Sequence, residues 1–409
     1  MTKRSTSRKQ GKTNPTIAAL IIGVVLIFGC IFVFTGSDPL GLFSASEAEA
    51  PAVSTPASQN AQLPATPAAR PSTGKLKWLT VYFTDPNPPD DLANGIDQYV
   101  VDDINQATQS IDVASFDFNL PSITNALVEA KKRGVKVRVV VDGEEGNLVL
   151  EPSEANGNQS LDALKTLSKA KIKVVDGGRS NGLMHNKIVI IDGRLLYMGS
   201  WNLAYNDTFR NNNNLLRITD PDLIANYQAK FNEMFEDELF GANAEVGAEQ
   251  PQLAPGGVQV ENYFSPVDEV MAKIVEYVRG ARKSVRFYAF TYTHPDLSDA
   301  MIERFENGVK VEGVIENRGA SNGAMVPLYC AGLPVMVDGN KYTMHHKVIV
   351  IDDSIVITGS FNFTKSADEA NDDNILVIHD PGLAALYLQE YQKVRAIAKQ
   401  PDPANFSCK

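Results

Sequence analysis

LMHNKIVIIDGRLLYMGSWN (183–202) and TMHHKVIVIDDSIVITGSFN (343–362) are the two stretches on which the fold turns. Each reads as an apolar strand, a two-residue turn (Gly193-Arg194 and Asp353-Ser354) and a second apolar strand, which is a β-hairpin. Side chains two apart on a strand share a face, so His185 and Lys187 point together, as do His345 and Lys347. Closing each hairpin about its turn sets His185 opposite Trp201 and His345 opposite Phe361. Ser200 and Asn202 then fall beside one His-Lys pair, and Ser360 and Asn362 beside the other.

Working outward, the likeness extends well beyond the hairpins. VYFTDP (81–86) is echoed by NYFSP (262–266), RGVKVRVVVD (133–142) by NGVKVEGVIE (307–316), and DPDLIANYQAKF (220–231) by DPGLAALYLQEY (380–391). The offset falls from 174 to 160 residues along the repeat, which places a 14-residue insertion in the first copy, around Glu144–Ser160. Such self-similarity marks a chain built from two versions of one unit. The halves are expected at 76–241 and 259–399, joined by a Gly/Ala/Pro-rich linker at 242–258. Strands such as SIDVASFDF alternate with helical patterns such as SITNALVEAKKRG, predicting an α/β fold of two α/β/α sandwich halves.

The duplicated residues suit a phosphate diester. Lys supplies charge, and Ser and Asn supply donors for the extra negative charge of a five-coordinate transition state. An imidazole can attack phosphorus or move protons near neutral pH. The chain has five histidines, and two of them occupy matched positions of the repeat. A metal reading is weak, because a lysine within each cluster repels a cation and the spacing fits no zinc pattern.

His185-x-Lys187-x4-Asp192 with Gly199-Ser200-x-Asn202, and His345-x-Lys347-x4-Asp352 with Gly359-Ser360-x-Asn362, resemble the two HKD motifs of the phospholipase D superfamily. The resemblance spans Trp78 to about Lys399. It implies two halves related by a pseudo-twofold axis, with the active site at their seam and no cofactor. It also implies a metal-independent mechanism, in which one His forms a phosphohistidine and the other protonates the leaving alcohol and then activates water. Lys187, Lys347, Ser200, Asn202, Ser360 and Asn362 would bind the phosphate, and Asp192 and Asp352 would order their loops. Many members carry an acidic residue about eleven positions after the motif asparagine. Here the second half offers Asp373, with Glu369 as a competitor, but the first offers Asn213. A carboxylate partner favours the imidazolium. The expectation is therefore Asp373 beside His345 as general acid, and His185 as nucleophile.

The N-terminal part is of another kind. TIAALIIGVVLIFGCIFVF (16–34) has no charge and is long enough as a helix to approach the ~30 Å hydrocarbon core. Five cations precede it in the tail 1–15, and no acidic residue appears before Asp38. A transmembrane helix over 16–35 is expected, its N-terminus cytoplasmic and the remainder extracytoplasmic at the cell membrane. A cleaved signal peptide usually has a shorter apolar core, and a lipoprotein at Cys30 would need a small residue where Phe28 stands. Residues 36–75, rich in Ala, Pro, Ser and Thr, read as a linker. Cys330 and Cys408 are open to two readings, a disulfide or two free thiols.

The formal net charge is −11, from Lys+Arg 38 and Asp+Glu 49. Seven of the basic and three of the acidic residues lie in 1–75, so the remaining 31 and 46 leave −15 on residues 76–409. That balance excludes a broad basic grip on nucleic acid, though not a small basic pocket. Phospholipid at a membrane surface is the expected substrate, and a monomer the expected state. The alternatives are a nonspecific endonuclease, a phosphatidyltransferase of the cardiolipin synthase type, and a non-catalytic binding protein. Phe116, Trp201, Tyr205, Phe290, Tyr292, Phe361 and Phe363 could line an acyl groove or belong to the core.

Overall fold

The computed structural model describes residues 76–143, 149–150, 161–405 and 408. The apolar run 16–35, the linker 36–75 and most of the expected insertion at Glu144–Ser160 lie outside them. Among the described residues no helix is long and apolar enough to cross a membrane.

Two mixed sheets carry the fold. The first consists of β1 (Leu79–Phe83), β2 (Ser110–Ser115), β3 (Lys136–Val141), β4 (Lys173–Asp176), β5 (Ile188–Ile191), β6 (Leu195–Gly199) and β7 (Asn214–Ile218). Their spatial order is β1-β7-β6-β5-β2-β3-β4. The second holds β8 (Gln252–Leu253), β9 (Val260–Ser265), β10 (Ser284–Ala289), β11 (Lys310–Ile315), β12 (Val335–Val337), β13 (Lys347–Ile351), β14 (Ile355–Gly359) and β15 (Asp373–His379). Apart from the short edge strand β8, its order β12-β11-β10-β13-β14-β15-β9-β8 is that of the first sheet read backwards. In both sheets three strands run parallel and are linked through helices, while the rest pair antiparallel.

The hairpins have the register their sequences require. Ile188 pairs with Met198 and Ile349 with Ile357, which sets Lys187 opposite Gly199 and Lys347 opposite Gly359. Both turns place two successive residues at positive φ, Asp192-Gly193 and Asp352-Asp353. This mirror-image turn follows the twist of the strands. The Asp192 carboxylate accepts backbone N–H bonds from Thr108, Gln109 and Ser110, and Asp352 does the same for Arg282, Lys283 and Ser284. Each aspartate thus ties a hairpin turn to the start of the neighbouring antiparallel strand, β2 or β10.

Each half closes on a helix capped by an aspartate, Pro221–Asn232 by Asp220 and Pro381–Ile397 by Asp380. These two helices bury Tyr227, Phe231, Tyr387 and Tyr391 in one apolar core that also contains Ile188, Leu196 and Leu216 of the first sheet and Val348, Val356 and Leu376 of the second. The inner faces of the two sheets share that core, while each outer face has a core of its own. The chain between the halves is pinned rather than loose: Glu233 accepts from the amides of Glu245 and Val246, and Asp268 from that of Ala248. Cys330 and Cys408 form a disulfide.

Candidate active site

The two halves meet through exchanged backbone. Met184 bridges Asp372 and Asn212 bridges Met344, both parallel. The amide of His185 donates to Asp372 O at 3.0 Å, and the amide of His345 to Asn212 O at 2.9 Å. Each motif strand therefore begins alongside the segment leading into the last strand of the other half. Side chains repeat the exchange: Tyr227 donates to Asn374 at 3.1 Å and Tyr387 to Asn214 at 3.3 Å.

This crossing corrects one expectation. Asp373 lies beside His185, not His345, with 2.7 Å from Nδ1 to Oδ1. The physical reason is register, since Asp372 pairs next to Met184 and the following residue emerges at His185. Nor is Asp373 a solvated loop acid, for it is fully buried and opens β15. Glu369 lies elsewhere, exposed and 3.5 Å from Lys365. His345 Nδ1 faces Asn213 Oδ1 at 2.9 Å and Asp207 Oδ1 at 3.1 Å. Facing a carboxylate or an amide oxygen, each Nδ1 carries the proton, leaving Nε2 with its lone pair.

Both imidazoles line one cavity of about 540 Å³, with Asn202 and Asn362 beside them. Ser200 and Ser360 were expected there too, but their hydroxyls are fully buried and spent on the support of the histidines. Ser200 donates to Asn213 Oδ1 at 2.8 Å, and Ser360 to Asp373 Oδ1 at 2.6 Å. The preceding glycines enforce this. A Cβ on Gly359 would stand 2.1 Å from Asn374 O and one on Gly199 2.4 Å from Asn214 O, so only glycine lets the neighbouring strand approach closely enough.

Lys187 and Lys347 are buried, and each donates to the carbonyl of its own histidine, at 2.7 and 2.8 Å. Their ammonium groups lie over the rings of Phe116 and Phe290, which in turn meet His185 and His345 edge-on. Those two aromatics line the cavity. Trp201, Tyr205, Tyr292, Phe361 and Phe363 are core instead.

Burial governs the electrostatics. It depresses His185, with Asp373 opposing, and pushes His345 down to about 3 with the help of the Lys347 charge. Lys187 falls to about 8 through burial, held up in part by Asp373 and Asp207. Lys347 falls well below the lysine range, through burial and then the charge of Lys187. Burial would raise Asp373 and Asp207, but the neighbouring histidines and Lys187 outweigh it and keep both anions below the usual carboxylate range.

Four charged cavity residues carry no motif signal in the sequence: Asp117, Asp207, Arg210 and Arg318. Asp117 is raised to about 7 by burial and by Asp207. Arg210 is held by Asp90 at 2.7 Å, while Arg318 leaves much of its side chain exposed beside Glu316. Among the described residues, no group of three or more His, Cys, Asp or Glu is placed to hold a metal ion.

A duplicated His-x-Lys hairpin on two matched sheets, both histidines opening on one cavity, defines the phospholipase D superfamily. Within it, the family described as "Cardiolipin synthase, PLD-like domain" matches residues 100–235 and 274–395, more than half of the chain, and the chain belongs to that family. The chain is 32% identical over 143 residues to the mitochondrial cardiolipin hydrolase of Chlamydomonas reinhardtii, covering 34% of this chain and 64% of that protein. It is also 32% identical over 140 residues to a phospholipase D of Rickettsia bellii, covering 34% and 70%. The crystal structure of phosphatidylserine synthase from Haemophilus influenzae shares the fold, with a TM-score of 0.57 at 14% identity over 74% of this chain and 84% of that one.

Proposed function

We propose that this protein is a phosphodiesterase of the phospholipase D type, cleaving the head-group diester of a phospholipid through a covalent phosphohistidine. The observation that carries the reading is the pair of imidazoles, one from each repeat, opening on a single cavity with each Nδ1 anchored by the opposite half. Two histidines suffice for the chemistry. Nε2 of one forms the N–P bond as the P–O bond to the leaving group breaks, and the other, entering the step as its imidazolium, gives that oxygen its Nε2 proton. The second then takes a proton from water, whose oxygen attacks phosphorus and releases the first histidine. Lys187, Lys347, Asn202 and Asn362 would meet the phosphoryl oxygens, and no metal ion is required.

The relocation of Asp373 reverses the expected roles. His185, with the shorter carboxylate contact, is the better proton donor, and His345, kept neutral to low pH, is the better nucleophile. Trapping the intermediate is expected to leave phosphate on His345, and phosphate on His185 overturns the assignment.

The lipid reading draws on the uncharged run 16–34, the acidic body and the apolar and aromatic walls Leu183, Phe116, Phe290 and Tyr342. An oxidising compartment outside the membrane suits the Cys330–Cys408 bond. Arg210 and Arg318 at the same cavity favour the second reading, a nuclease, since a polynucleotide would bring them a further phosphate. The test is the full chain in detergent against phosphatidylcholine vesicles and plasmid DNA, with chelator present. Choline release is expected. Cleavage of DNA alone overturns the lipid reading, and loss of activity in chelator overturns the metal-free mechanism.

A further inference from the structure

The two histidines are held by unequal sets of residues. His185 meets a carboxylate on β15, Asp373, whose oxygen also accepts from Ser360. The corresponding residue of the first half, 160 positions earlier, is Asn213, which takes the Ser200 hydroxyl in the same way but has no charge. His345 nevertheless faces a carboxylate. Asp207, buried in the short helix Tyr205–Phe209, lies 3.1 Å from its Nδ1. The matching helix of the second half is Lys365–Glu369, where the corresponding position is Ala367.

Asp207 also fixes the asparagine. Asn213 Nδ2 donates to the Asp207 carboxylate and to its main-chain oxygen, both at 3.0 Å. The amide oxygen must then face His345, and only a protonated Nδ1 can answer it. Other neighbours of the ring include Lys347 on its own strand, Lys187 on the opposite hairpin and Phe290 edge-on. Among these groups Asp207 carries the negative charge nearest to the ring.

We propose that Asp207 is the positioning residue of His345, supplying from a helix the carboxylate that Asp373 supplies to His185 from a strand, with Asn213 as the relay that sets the tautomer. The proposal rests on the phosphohistidine reading for its consequence. When Nε2 attacks phosphorus its lone pair becomes the N–P bond and the ring turns cationic, while the departing oxygen takes its proton from His185. Asp207 faces the charge that appears. The carboxylate stands six residues before the position that matches Asp373, yet faces the same ring as Asn213 does.

Three variants of the full chain test this: Asp207→Asn, Asn213→Asp, and the two combined. Turnover of bis(p-nitrophenyl) phosphate is followed together with the ¹⁵N resonances of the histidine rings. Asp207→Asn is expected to lower kcat by roughly 30- to 300-fold, a share of the 10²–10⁴ that a positioned acid or base contributes, with KM changed by less than about threefold. The double variant, which rebuilds the Asp373 arrangement around His345, is expected to recover to within about tenfold of wild type. In the spectra the Nδ1-protonated form of His345 gives way to a mixture in Asp207→Asn. Wild-type turnover with an unchanged tautomer in Asp207→Asn overturns the proposal. So does a double variant that melts like wild type and is no more active than Asp207→Asn. If the double variant does not fold, the tautomer in Asp207→Asn decides. A wild-type chain that cleaves no diester would sink the phosphohistidine reading alone, because the ring spectra still report whether Asp207 governs His345.

Discussion

Raising the pH should switch the site off in two steps, and the structure gives both positions. The first group is Asp117, a cavity carboxyl raised to about 7 by burial, then by the charge of Asp207. Above that pH it becomes an anion beside an anionic substrate. The second is Lys187, lowered to about 8 by burial. Lysine is cationic below its pKa, so Lys187 is about nine-tenths charged at pH 7 and about one-tenth at pH 9. Lys347 is lowered too, well below the lysine range, by burial and then by the charge of Lys187. A unit charge some 4 Å from a phosphoryl oxygen is worth about 4 kcal/mol at an effective dielectric near 20, a factor of roughly 10²–10³ in rate. We therefore expect kcat/KM for bis(p-nitrophenyl) phosphate to decline modestly through about pH 7 and then tenfold per unit above about 8, before reaching a floor. Asp117→Asn should remove the first step and keep the second. Because a bound phosphate holds the proton on Lys187, the fall in kcat should lie at higher pH than the fall in kcat/KM. A profile flat from about pH 7 to 9.5, or Asp117→Asn indistinguishable from wild type, would refute the reasoning.

Ser360→Ala removes a 2.6 Å hydrogen bond to the Asp373 carboxylate. A bond to a charged group is worth about 1.5–3 kcal/mol, so kcat should drop tenfold or more while the fold survives, and an unchanged kcat counts against a supporting role. Replacing Cys330 and Cys408 by serine opens a cross-link over 78 residues and should lower stability by about 2–4 kcal/mol in urea unfolding. Turnover should not change, because neither cysteine lines the cavity. Asp352→Ala strands three backbone donors, at a cost of roughly 2–3 kcal/mol near neutrality. Burial raises the Asp352 carboxyl, but those donors outweigh it and leave the pKa depressed. Its stabilisation is present above the unfolded value, about 4, and is lost as pH falls through the folded one. The urea midpoints of variant and wild type should therefore converge in acid.

What the sequence made legible is whatever has a short period or a repeat. Alternation placed His185 with Lys187, and the hairpin register holds residue for residue, although each turn sits one residue earlier than its sequence suggests, at Asp192-Gly193 and Asp352-Asp353. The matched topology of the sheets follows from the internal likeness. Other features were hidden for physical reasons. β7 and β15 begin in Asn- and Asp-rich runs, NNNN and NDDN, that look like loops, because their polar side chains are consumed by the seam rather than by water. A period of two reports the face of a strand but not its depth, so Ser200 and Ser360 look like cavity donors although they lie beneath the histidines. Asp207 sits on a helix of five residues, too short for any periodic signal, and its contact with His345 spans 138 positions.

The seam changes what duplication means for this protein. Were each histidine supported from its own half, one repeat could drift without consequence for the other's chemistry. Here the uncharged Asn213 of the first half meets the histidine of the second, while Ala367, at the position matching Asp207, offers no helix carboxylate to the histidine of the first. Each half thus constrains its twin's reactive group. Asp207 and Asp373 act as a pair of exchanged supports, each buried and each answered by an imidazole across the seam. They also offset the cost of two buried lysines, whose charges would otherwise be expelled from an interior of low dielectric. An isolated half would keep its His-x-Lys hairpin yet lose the carboxylate that supports the histidine. It would be expected to fold poorly at its exposed core and to lack the activity of the intact pair.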